Sequence, residues 1–232
     1  MGISNDRIIA ALRERLGGEQ VLGGQVDRRA YSCDAGPYQF VPAVVVRPRH
    51  FGDMTTIFDY CHANRLHLTF RTAGTSLAGQ AVTDGILVDA AYHWKSLRVL
   101  DKGRQVGVQP GVVAAHVNTQ LARYGMRMGP DPVSMGSCMM GGIAATNASG
   151  PGSGVAANVY HTMAGMQLML ADGFYLDTMQ NEYDAVLGRE RPAIYRGLQD
   201  IRNIITSDPD LVRGISDRFS FKNTCGYSMN AF

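Results

Sequence analysis

Hydrophobic and polar positions along the 232-residue chain follow helical periods in some segments and strand-like periods in others. Residues 3–16 place apolar side chains at helical spacing after Ser4, which predicts a capped amphipathic helix. The short apolar run at residues 43–46 predicts a buried strand, and the runs at residues 67–71 and 85–89 predict two more strands. Between the first two runs, Asp53 is expected to cap a helix that ends at Asn64. These elements predict a small α/β unit.

The second half of the chain continues with hairpin and helix signals. Residues 97–100 and 105–109 are joined by a short polar turn and predict a β-hairpin, and residues 163–170 and 174–178 predict another. A helix is expected over residues 113–124, with Gly125 ending it. Helical pieces are expected after this second hairpin, from residue 179 to about Arg218. No internal repeat accompanies this pattern.

Two long stretches show neither period. The first covers residues 72–84. We call residues 71–80, which comprise Arg71 and the glycine-rich part of this stretch, the first glycine loop. The second glycine loop covers residues 129–154 and is rich in Gly, Ser and Asn. Structureless segments of this length inside a domain are usually functional or disordered. Because both contain apolar residues and few charges, disorder is disfavoured and function is expected.

Composition and charge narrow the class of protein. A hydrophobic fraction of 45% with 18% charged residues excludes a disordered chain. The net charge is +2 and there is no run of Lys or Arg, so no nucleic-acid partner is expected. No stretch approaches about 18 consecutive apolar residues, so no transmembrane helix is expected. The first residues lack the order of a signal peptide, and a cytoplasmic location is expected.

Cysteine and histidine spacing gives no metal signal. The four cysteines are Cys33, Cys61, Cys138 and Cys225, and no two of them form a C-x-x-C pair. The six histidines are scattered along the chain. Zinc and iron–sulfur sites both need clustered ligands, so no metal is expected. Unpaired thiols agree with a reducing compartment.

The first glycine loop reads RTAGTSLAGQ and follows a predicted strand. Consecutive N–H groups in such a turn form a concave anion site, to which Thr75 and Ser76 add hydroxyls and Arg71 adds charge. Pyrophosphate binding and a purely structural turn both remain open for this loop. The chain has no G-x-x-x-x-G-K-[ST], no strand-to-helix G-x-G-x-x-G and no G-x-S-x-G. A P-loop, a Rossmann turn and a serine-hydrolase elbow are therefore not supported.

The second glycine loop has features of a site for a flat ligand. Gly141 and Gly142 would let the backbone approach a ligand closely, because no Cβ stands in the way. Asn147 offers both a donor and an acceptor for a ring edge. Met135, Met139 and Met140 would form an apolar wall, although ordinary core packing is favoured for each methionine taken singly. The two loops together are a stronger signal than either one alone.

These strings, taken in order, resemble a known family. They are RTAGTSLAGQ at 71–80, PDP at 130–132, GGIAATNASG at 141–150, LADG at 170–173 and KNTCGY at 222–227. Their order and spacing over residues 42–232 resemble the flavoprotein superfamily of vanillyl-alcohol oxidase and p-cresol methylhydroxylase. Within it, the chain is most similar to FAD-linked D-2-hydroxyacid dehydrogenases, a group that includes D-lactate dehydrogenase, glycolate oxidase and D-2-hydroxyglutarate dehydrogenase.

The resemblance implies a fold and its limits. It implies an α+β class: a two-lobed FAD-binding domain of the p-cresol methylhydroxylase type, in which each lobe is a small mixed sheet with helices. Residues 1–37 would form an N-terminal helix and lead-in, residues 38–98 the first lobe and residues 99–232 the second. Members of the family continue into a cap domain that supplies the catalytic groups, so the chain is expected to be an N-terminal fragment of a longer enzyme.

The resemblance also assigns site residues. The FAD pyrophosphate would lie on Arg71, Thr72, Ala73, Gly74, Thr75 and Ser76, with Gly79 and Gln80 close to the cofactor. The isoalloxazine and ribityl side would meet Asp131, Ser134, Gly136, Cys138, Gly141, Gly142 and Asn147. Ala73 stands where many members have Gly. Thr75 stands where members with covalent flavin carry His, so non-covalent FAD is expected.

The activity implied by the resemblance is oxidation of a small D-2-hydroxyacid by hydride transfer to FAD. Electrons would pass to a quinone, a cytochrome or a protein, and peripheral membrane association of the full-length enzyme stays open. No residue of this chain is assigned as the catalytic base. An alternative is a non-catalytic FAD-binding electron-transfer subunit that needs a partner chain. A nucleotide-binding regulatory module without flavin is a weaker third possibility.

Overall fold

The structure, a computed structural model, describes residues 3–222 and 228–232. The chain divides into two compact units. The first unit comprises Met1–Met128, Pro132–Thr146 and Ala171–Gly173, and the second comprises Gly129–Asp131, Asn147–Leu170 and Phe174–Phe232. The sequence-based lobe boundary near residue 98 stays a prediction.

The first unit mixes helices and strands. Its helices are α1 (Asn5–Leu16), α2 (Gln25–Ala30), α3 (Phe51–Asn64), α4 (Ala114–Leu121) and α5 (Met140–Ala145). Its strands are β1 (Val21–Leu22), β2 (Val44–Val46), β3 (Leu68–Arg71), β4 (Ile86–Asp89), β5 (Leu97–Leu100) and β6 (Gln105–Val108). The predicted strands and the first predicted helix are thereby confirmed within a residue or two at each end.

A four-stranded mixed sheet organises this unit, in the order β1-β2-β4-β3. Strand β1 runs antiparallel to β2, whereas β2, β4 and β3 run parallel to one another. Every residue of β2 and β4 is buried. That explains why these strands read as unbroken apolar runs rather than as alternating patterns. The carboxyl ends of the three parallel strands consequently lie at one edge of the sheet.

The helices α1 and α3 supply the rest of this core. Leu12 of α1 and Ile57 of α3 are fully buried. Burial of a side chain of this size contributes about 1.5–3 kcal/mol relative to leaving it in water. The amphipathic pattern of the first predicted helix therefore has a direct energetic meaning, because its apolar face is the face that is buried.

The start of α3 corrects one expectation. Asp53 is not the N-cap, because His50 occupies that position and its Nδ1 accepts a hydrogen bond from the Asp53 N–H at 3.3 Å. The Asp53 carboxylate instead accepts bonds from the Arg49 N–H and from Gln20 Nε2, both at 2.7 Å. This reciprocal arrangement resembles a capping box, in which the residue in the first turn reaches back to the residues before the helix. The helix therefore begins before Asp53.

The predicted β5–β6 hairpin is confirmed, with Val99 paired to Val106 in an antiparallel register. Three consecutive turn residues, Asp101, Lys102 and Gly103, have positive φ angles. The predicted helix after it is also confirmed. It begins at Ala114, its last turn is a 3₁₀ turn over Ala122–Tyr124, and Gly125 ends it at φ +69°. Gly tolerates this left-handed conformation, which explains why the helix stops there.

The second unit consists of one hairpin and several helices. Its elements are α6 (Val159–Thr162), β7 (Gln167–Met169), β8 (Tyr175–Asp177), α7 (Tyr183–Glu190), α8 (Pro192–Ser207) and α9 (Pro209–Phe219). The predicted hairpin is confirmed as the antiparallel pair β7–β8. Proline stands at the first position of α8 and of α9, where its missing N–H costs nothing. Within residues 3–222 and 228–232, no helix combines the length and the apolar character needed to cross a membrane.

Candidate functional site

The first glycine loop begins where β3 ends, at the carboxyl edge of the parallel strands. Two of its glycines have positive φ angles, +70° at Gly74 and +71° at Gly79. A Cβ on Gly74 would lie 2.5 Å from Arg71 Nη2, and a Cβ on Gly79 would lie 2.8 Å from the ring of Tyr38. Both glycines are therefore required by backbone conformation and by close approach. In open α/β sheets this edge is where ligands bind.

The backbone of this loop has several N–H groups for which the described part of the chain offers no hydrogen-bond acceptor. Among the residues that the structure describes, no acceptor meets the N–H groups of residues 72–77. The next polar groups are occupied, since Ser76 Oγ accepts from the N–H of Ala78 at 3.1 Å and from that of Gln80 at 3.4 Å. A turn with successive free N–H groups is suited to bind an anion.

Arg71 supports the loop from below. Its Nη1 donates to the carbonyl of Cys33 at 2.7 Å and to the carbonyls of Tyr31 and Ala81 at 3.3 Å each. Its guanidinium also lies over the Tyr31 ring, 5.5 Å from the centroid. The positive charge predicted at the mouth of the loop is thus fixed against Gly74 by backbone carbonyls rather than extended freely into solvent.

Part of the second glycine loop lies against the first within the same unit. A Cβ on Gly141 would lie 2.7 Å from Pro110 Cβ and 3.0 Å from Thr72 Cγ2, and a Cβ on Gly142 would lie 3.4 Å from Thr72 Oγ1. The two glycines belong to α5, so the expectation of an unstructured stretch is wrong here. Glycine lowers helix propensity, which hid this short helix from the sequence pattern.

Ser134, Gly136 and Cys138 form the turn that precedes α5. The Ser134 carbonyl accepts the Cys138 N–H at 2.8 Å, and the Cys138 carbonyl accepts the N–H of Ala114, the first residue of α4, at 3.0 Å. Cys138 is buried, whereas the space around the Cα of Gly136 is open. The contacts of this turn fix the approach to α5, and Gly136 leaves room for a neighbour.

Asp131 belongs to the second unit, where its carboxylate holds another turn of the second glycine loop. It accepts bonds from the Gly152 N–H at 2.8 Å and from the Ser153 N–H and hydroxyl at 3.1 and 2.8 Å. The Ser153 hydroxyl first, and then the Gly152 N–H, lower the pKa of Asp131 below its usual value. Both carboxylate oxygens are therefore already engaged by the protein.

Asn147 is also in the second unit and has a positive φ of +45°. Its Nδ2 donates to Ser228 Oγ at 2.6 Å, and its Oδ1 accepts the Tyr160 N–H at 2.9 Å. Asn tolerates the left-handed region better than most residues. The side chain predicted to read a ring edge thus makes structural hydrogen bonds with both of its polar atoms.

Sequence reasoning missed three residues that shape the first glycine loop: Tyr31, Tyr38 and Pro110. All three lie outside regular elements, where no periodic pattern marks them. The motif at residues 222–227 lies outside the described residues after its first member, Lys222, whose Nζ donates to the Gly150 carbonyl at 3.0 Å. Within residues 3–222 and 228–232, no group of three or more His, Cys, Asp or Glu could hold a metal ion.

Comparison with known proteins decides the family. The FAD binding domain family matches residues 42–178, more than half of the chain, and this range contains both glycine loops. The chain belongs to the FAD binding domain family. FAD is therefore the cofactor of the domain to which these residues belong.

Relatives and solved structures agree with this assignment. The chain is 28% identical to glycolate oxidase subunit GlcD of Escherichia coli (strain K12) over 88% of its own length and 41% of the relative's. It is 32% identical to D-2-hydroxyglutarate dehydrogenase of the same strain over 73% of its own length and 17% of the relative's. It thus spans less than half of the curated relatives that it matches.

The fold of the FAD binding domain is supported separately. The structure of p-cresol methylhydroxylase with substrate bound superimposes with a TM-score of 0.62, covering 77% of this chain and 37% of that one at 15% identity. The α+β prediction of a p-cresol methylhydroxylase type domain is confirmed. At this identity the likeness concerns the fold alone, so the role of each site residue rests on the geometry described above.

Proposed function

We propose that this FAD binding domain is the cofactor-binding part of a flavoenzyme that oxidises a small 2-hydroxyacid. The observation that carries the proposal is the row of N–H groups at residues 72–77, for which the described part of the chain offers no acceptor. A diphosphate is the FAD group that such a row fits, because its oxygens accept several N–H donors at once. The substrate class is supported by the names of the relatives, glycolate oxidase subunit GlcD and D-2-hydroxyglutarate dehydrogenase.

Each site residue has a role in this proposal. Direct contact with the cofactor is proposed for Arg71, Thr72, Ala73, Gly74, Thr75, Ser76, Gly79, Gln80, Gly136, Gly141 and Gly142. Asp131, Ser134, Cys138 and Asn147 are proposed to shape the segments around it, because their contacts with the protein are structural. With Thr75 in the first glycine loop, attachment is proposed to be non-covalent.

FAD, when bound, supplies an acceptor for the hydride that leaves the Cα of the hydroxyacid. The residues of this chain bind and orient the cofactor: the N–H groups donate hydrogen bonds to phosphate oxygens, and the α5 glycines allow a planar group to approach the backbone. Electrons are proposed to pass on to a quinone, a cytochrome or a protein. A cytoplasmic location is part of the proposal, in agreement with the free thiols of Cys33, Cys61 and Cys138.

A second candidate is an FAD-binding electron-transfer subunit that acts only with a partner chain. It is favoured by one observation, that the relative GlcD is named as a subunit of glycolate oxidase. The two candidates differ in what the isolated protein does. An enzyme reduces its flavin when a hydroxyacid is added, whereas an electron-transfer subunit does so only after its partner is present.

The proposal is tested with the purified gene product that carries this chain. Its visible spectrum is recorded anaerobically before and after addition of glycolate, D-lactate or D-2-hydroxyglutarate. Loss of the flavin absorbance with one of these acids supports the enzyme, and bleaching that requires a co-purified partner supports the subunit. Absence of bound flavin after reconstitution with FAD would contradict both candidates.

A further inference from the structure

A partly buried polar cluster lies at the carboxyl edge of the parallel strands and consists of Tyr31, Arg47 and Asp89. The Tyr31 hydroxyl donates to Asp89 Oδ2 at 2.6 Å and accepts from Arg47 Nη2 at 2.8 Å. Arg47 Nε donates to the same Asp89 oxygen at 3.2 Å. Asp89 is only 5% exposed. The three side chains connect the lead-in segment to the ends of β2 and β4.

Both carboxylate oxygens of Asp89 accept two hydrogen bonds each. Its other oxygen, Oδ1, accepts the N–H of Ala91 at 2.9 Å and that of Tyr92 at 3.2 Å. Burial, and then the hydrogen bond to Asp89, raise the pKa of Tyr31, so the phenol remains a donor at neutral pH. With one partner for its proton and one for its lone pair, the Tyr31 ring is held in a single orientation.

Tyr31 also supports the first glycine loop. Its ring lies under the Arg71 guanidinium, and its carbonyl and that of Cys33 both accept from Arg71 Nη1. Two residues further on, the Ala35 N–H donates to the Gly74 carbonyl at 3.0 Å. Residues 31–35 therefore form a support that holds both Arg71 and the turn at Gly74, and the Tyr31 hydroxyl anchors this support to the sheet.

We propose that Tyr31 is a positioning residue for diphosphate binding: anchored by Asp89 and Arg47, it holds Arg71 and the N–H groups of residues 72–77 in their binding arrangement. The inference rests on the proposed function of this loop. Tyr31 acts through Arg71 and the backbone, so its hydroxyl affects the affinity for the phosphates of a nucleotide and leaves the affinity for its nucleoside part unchanged.

The test compares two ligands on the full chain, ADP and adenosine, by isothermal titration calorimetry. Tyr31→Phe keeps the aromatic ring under Arg71 and removes only the hydroxyl, so that the anchor to Asp89 and Arg47 is lost. The affinity for ADP is expected to fall about tenfold, the size expected for one lost hydrogen bond to a charged group. The affinity for adenosine is expected to stay within about twofold of the wild type.

The chain offers a matched control. Tyr92 lies beside the Arg47 guanidinium, whose Cζ is 4.0 Å from the centroid of the Tyr92 ring. The Tyr92 side chain is half exposed. Tyr92→Phe removes the same chemical group and is expected to change neither affinity. A second variant, Arg47→Lys, keeps a positive charge opposite Asp89 but removes Nη2, and is expected to give a weaker loss that is again selective for ADP.

The outcomes separate this inference from the proposed function. A selective loss for ADP in Tyr31→Phe, absent in Tyr92→Phe, supports the positioning role. Equal losses of affinity for both ligands, or unchanged affinities, overturn the positioning role. In either case, a wild-type chain that prefers ADP to adenosine still supports the assignment of the first glycine loop to diphosphate binding. A wild-type chain that binds ADP no better than adenosine overturns both. If Tyr31→Phe folds poorly, Arg47→Lys alone decides between these outcomes.

Discussion

In the first glycine loop the N–H groups of residues 72–77 meet no acceptor within the described part of the chain, whereas two polar side chains of the second glycine loop, Asp131 and Asn147, make hydrogen bonds within their own unit. Asp131 holds the turn at Gly152, and Asn147 holds Tyr160 and Ser228. Two segments of similar composition thus differ in where their hydrogen-bonding capacity goes. Capacity used inside the protein stabilises the fold, and capacity left over is available to a ligand.

The largest effect is expected from a change inside the second glycine loop. Gly150 is buried, and a Cβ there would collide with the backbone carbonyl of Asp131. Because that carbonyl cannot rotate away, Gly150→Ala should lower the free energy of unfolding by about 3 kcal/mol, as overpacking does. Urea unfolding measures this decrease in the free energy of unfolding. Gly136→Ala, with open space around its Cα, should cost well under half as much, and equal losses would contradict the stated cause.

A smaller effect is expected in the first glycine loop, and it should concern affinity. Gly74→Ala adds a left-handed strain of about 1–2 kcal/mol and pushes on the Arg71 guanidinium. The loop can relieve both by leaving its binding conformation. The dissociation constant for FAD, measured by quenching of flavin fluorescence, should therefore rise about 30-fold, which corresponds to about 2 kcal/mol.

Gly154→Ala is the matched control for Gly74→Ala. Gly154 lies in the second glycine loop and also has a positive φ, +53°, but nothing lies within 4 Å of the position of its Cβ. It imposes a similar backbone strain, so it should cost stability without changing the affinity for FAD. If both variants weakened FAD binding equally, the contrast between the two loops would have to be abandoned.

A pH-dependent effect is expected at Asp131. Hydrogen bonds from Ser153 and Gly152 lower its pKa in the folded state, so the carboxylate stabilises the fold above its ordinary value of about 3.9. This stabilisation is lost as the pH falls through the lower folded-state pKa. Asp131→Asn should therefore lower the Tm most above about pH 4, with the difference from the wild type vanishing in stronger acid.

Differential scanning calorimetry between about pH 2 and about pH 7 checks this prediction. The affinity for FAD at neutral pH should stay unchanged in Asp131→Asn. A Tm difference that stays constant with pH would show that the carboxylate charge is not what matters in this turn.

The smallest effect is a difference in thiol reactivity between the two regions. Cys33, whose carbonyl supports Arg71, is exposed, whereas Cys138 of the second glycine loop is buried. Burial raises the pKa of the buried reference thiol Cys61 to about 11. At pH 8 only about one in a thousand Cys61 thiols is then ionised. Iodoacetamide should label Cys33 before Cys61 and Cys138, as read by peptide mass spectrometry, and faster labelling of Cys138 would contradict the burial pattern.

Much of the fold could be predicted because the sequence carries it locally. Residues 43–46 and 86–88 are unbroken apolar runs because their strands are covered on both faces, and Gly125 marks a helix end because of its positive φ. The helix α5 was missed because Gly141 and Gly142 suppress the pattern on which helix prediction depends. The prediction that Asp53 is the N-cap was wrong because an acidic side chain in the first turn can also accept hydrogen bonds from N–H groups at the start of a helix.

The candidate site divides in the same way. Gly74, Gly79 and Arg71 could be proposed from the sequence, because free backbone and positive charge are properties of residue types. The contacts that give them a common geometry could not be proposed. Tyr31 and Tyr38 approach the loop from about forty residues earlier in the chain, and no local spacing connects them to it.

The sequence by itself determined the family, the two glycine loops and the strands that precede them, since all three depend on residue types in a fixed order. Only the tertiary structure decided which polar groups of these loops bond within the protein and that the N–H groups of residues 72–77 meet no acceptor in the described part of the chain. The physical reason is that a hydrogen bond depends on where donors and acceptors meet in space. Asp131 and Asn147 have the same donors and acceptors in either role, and their neighbours Ser153, Tyr160 and Ser228 commit them to the fold.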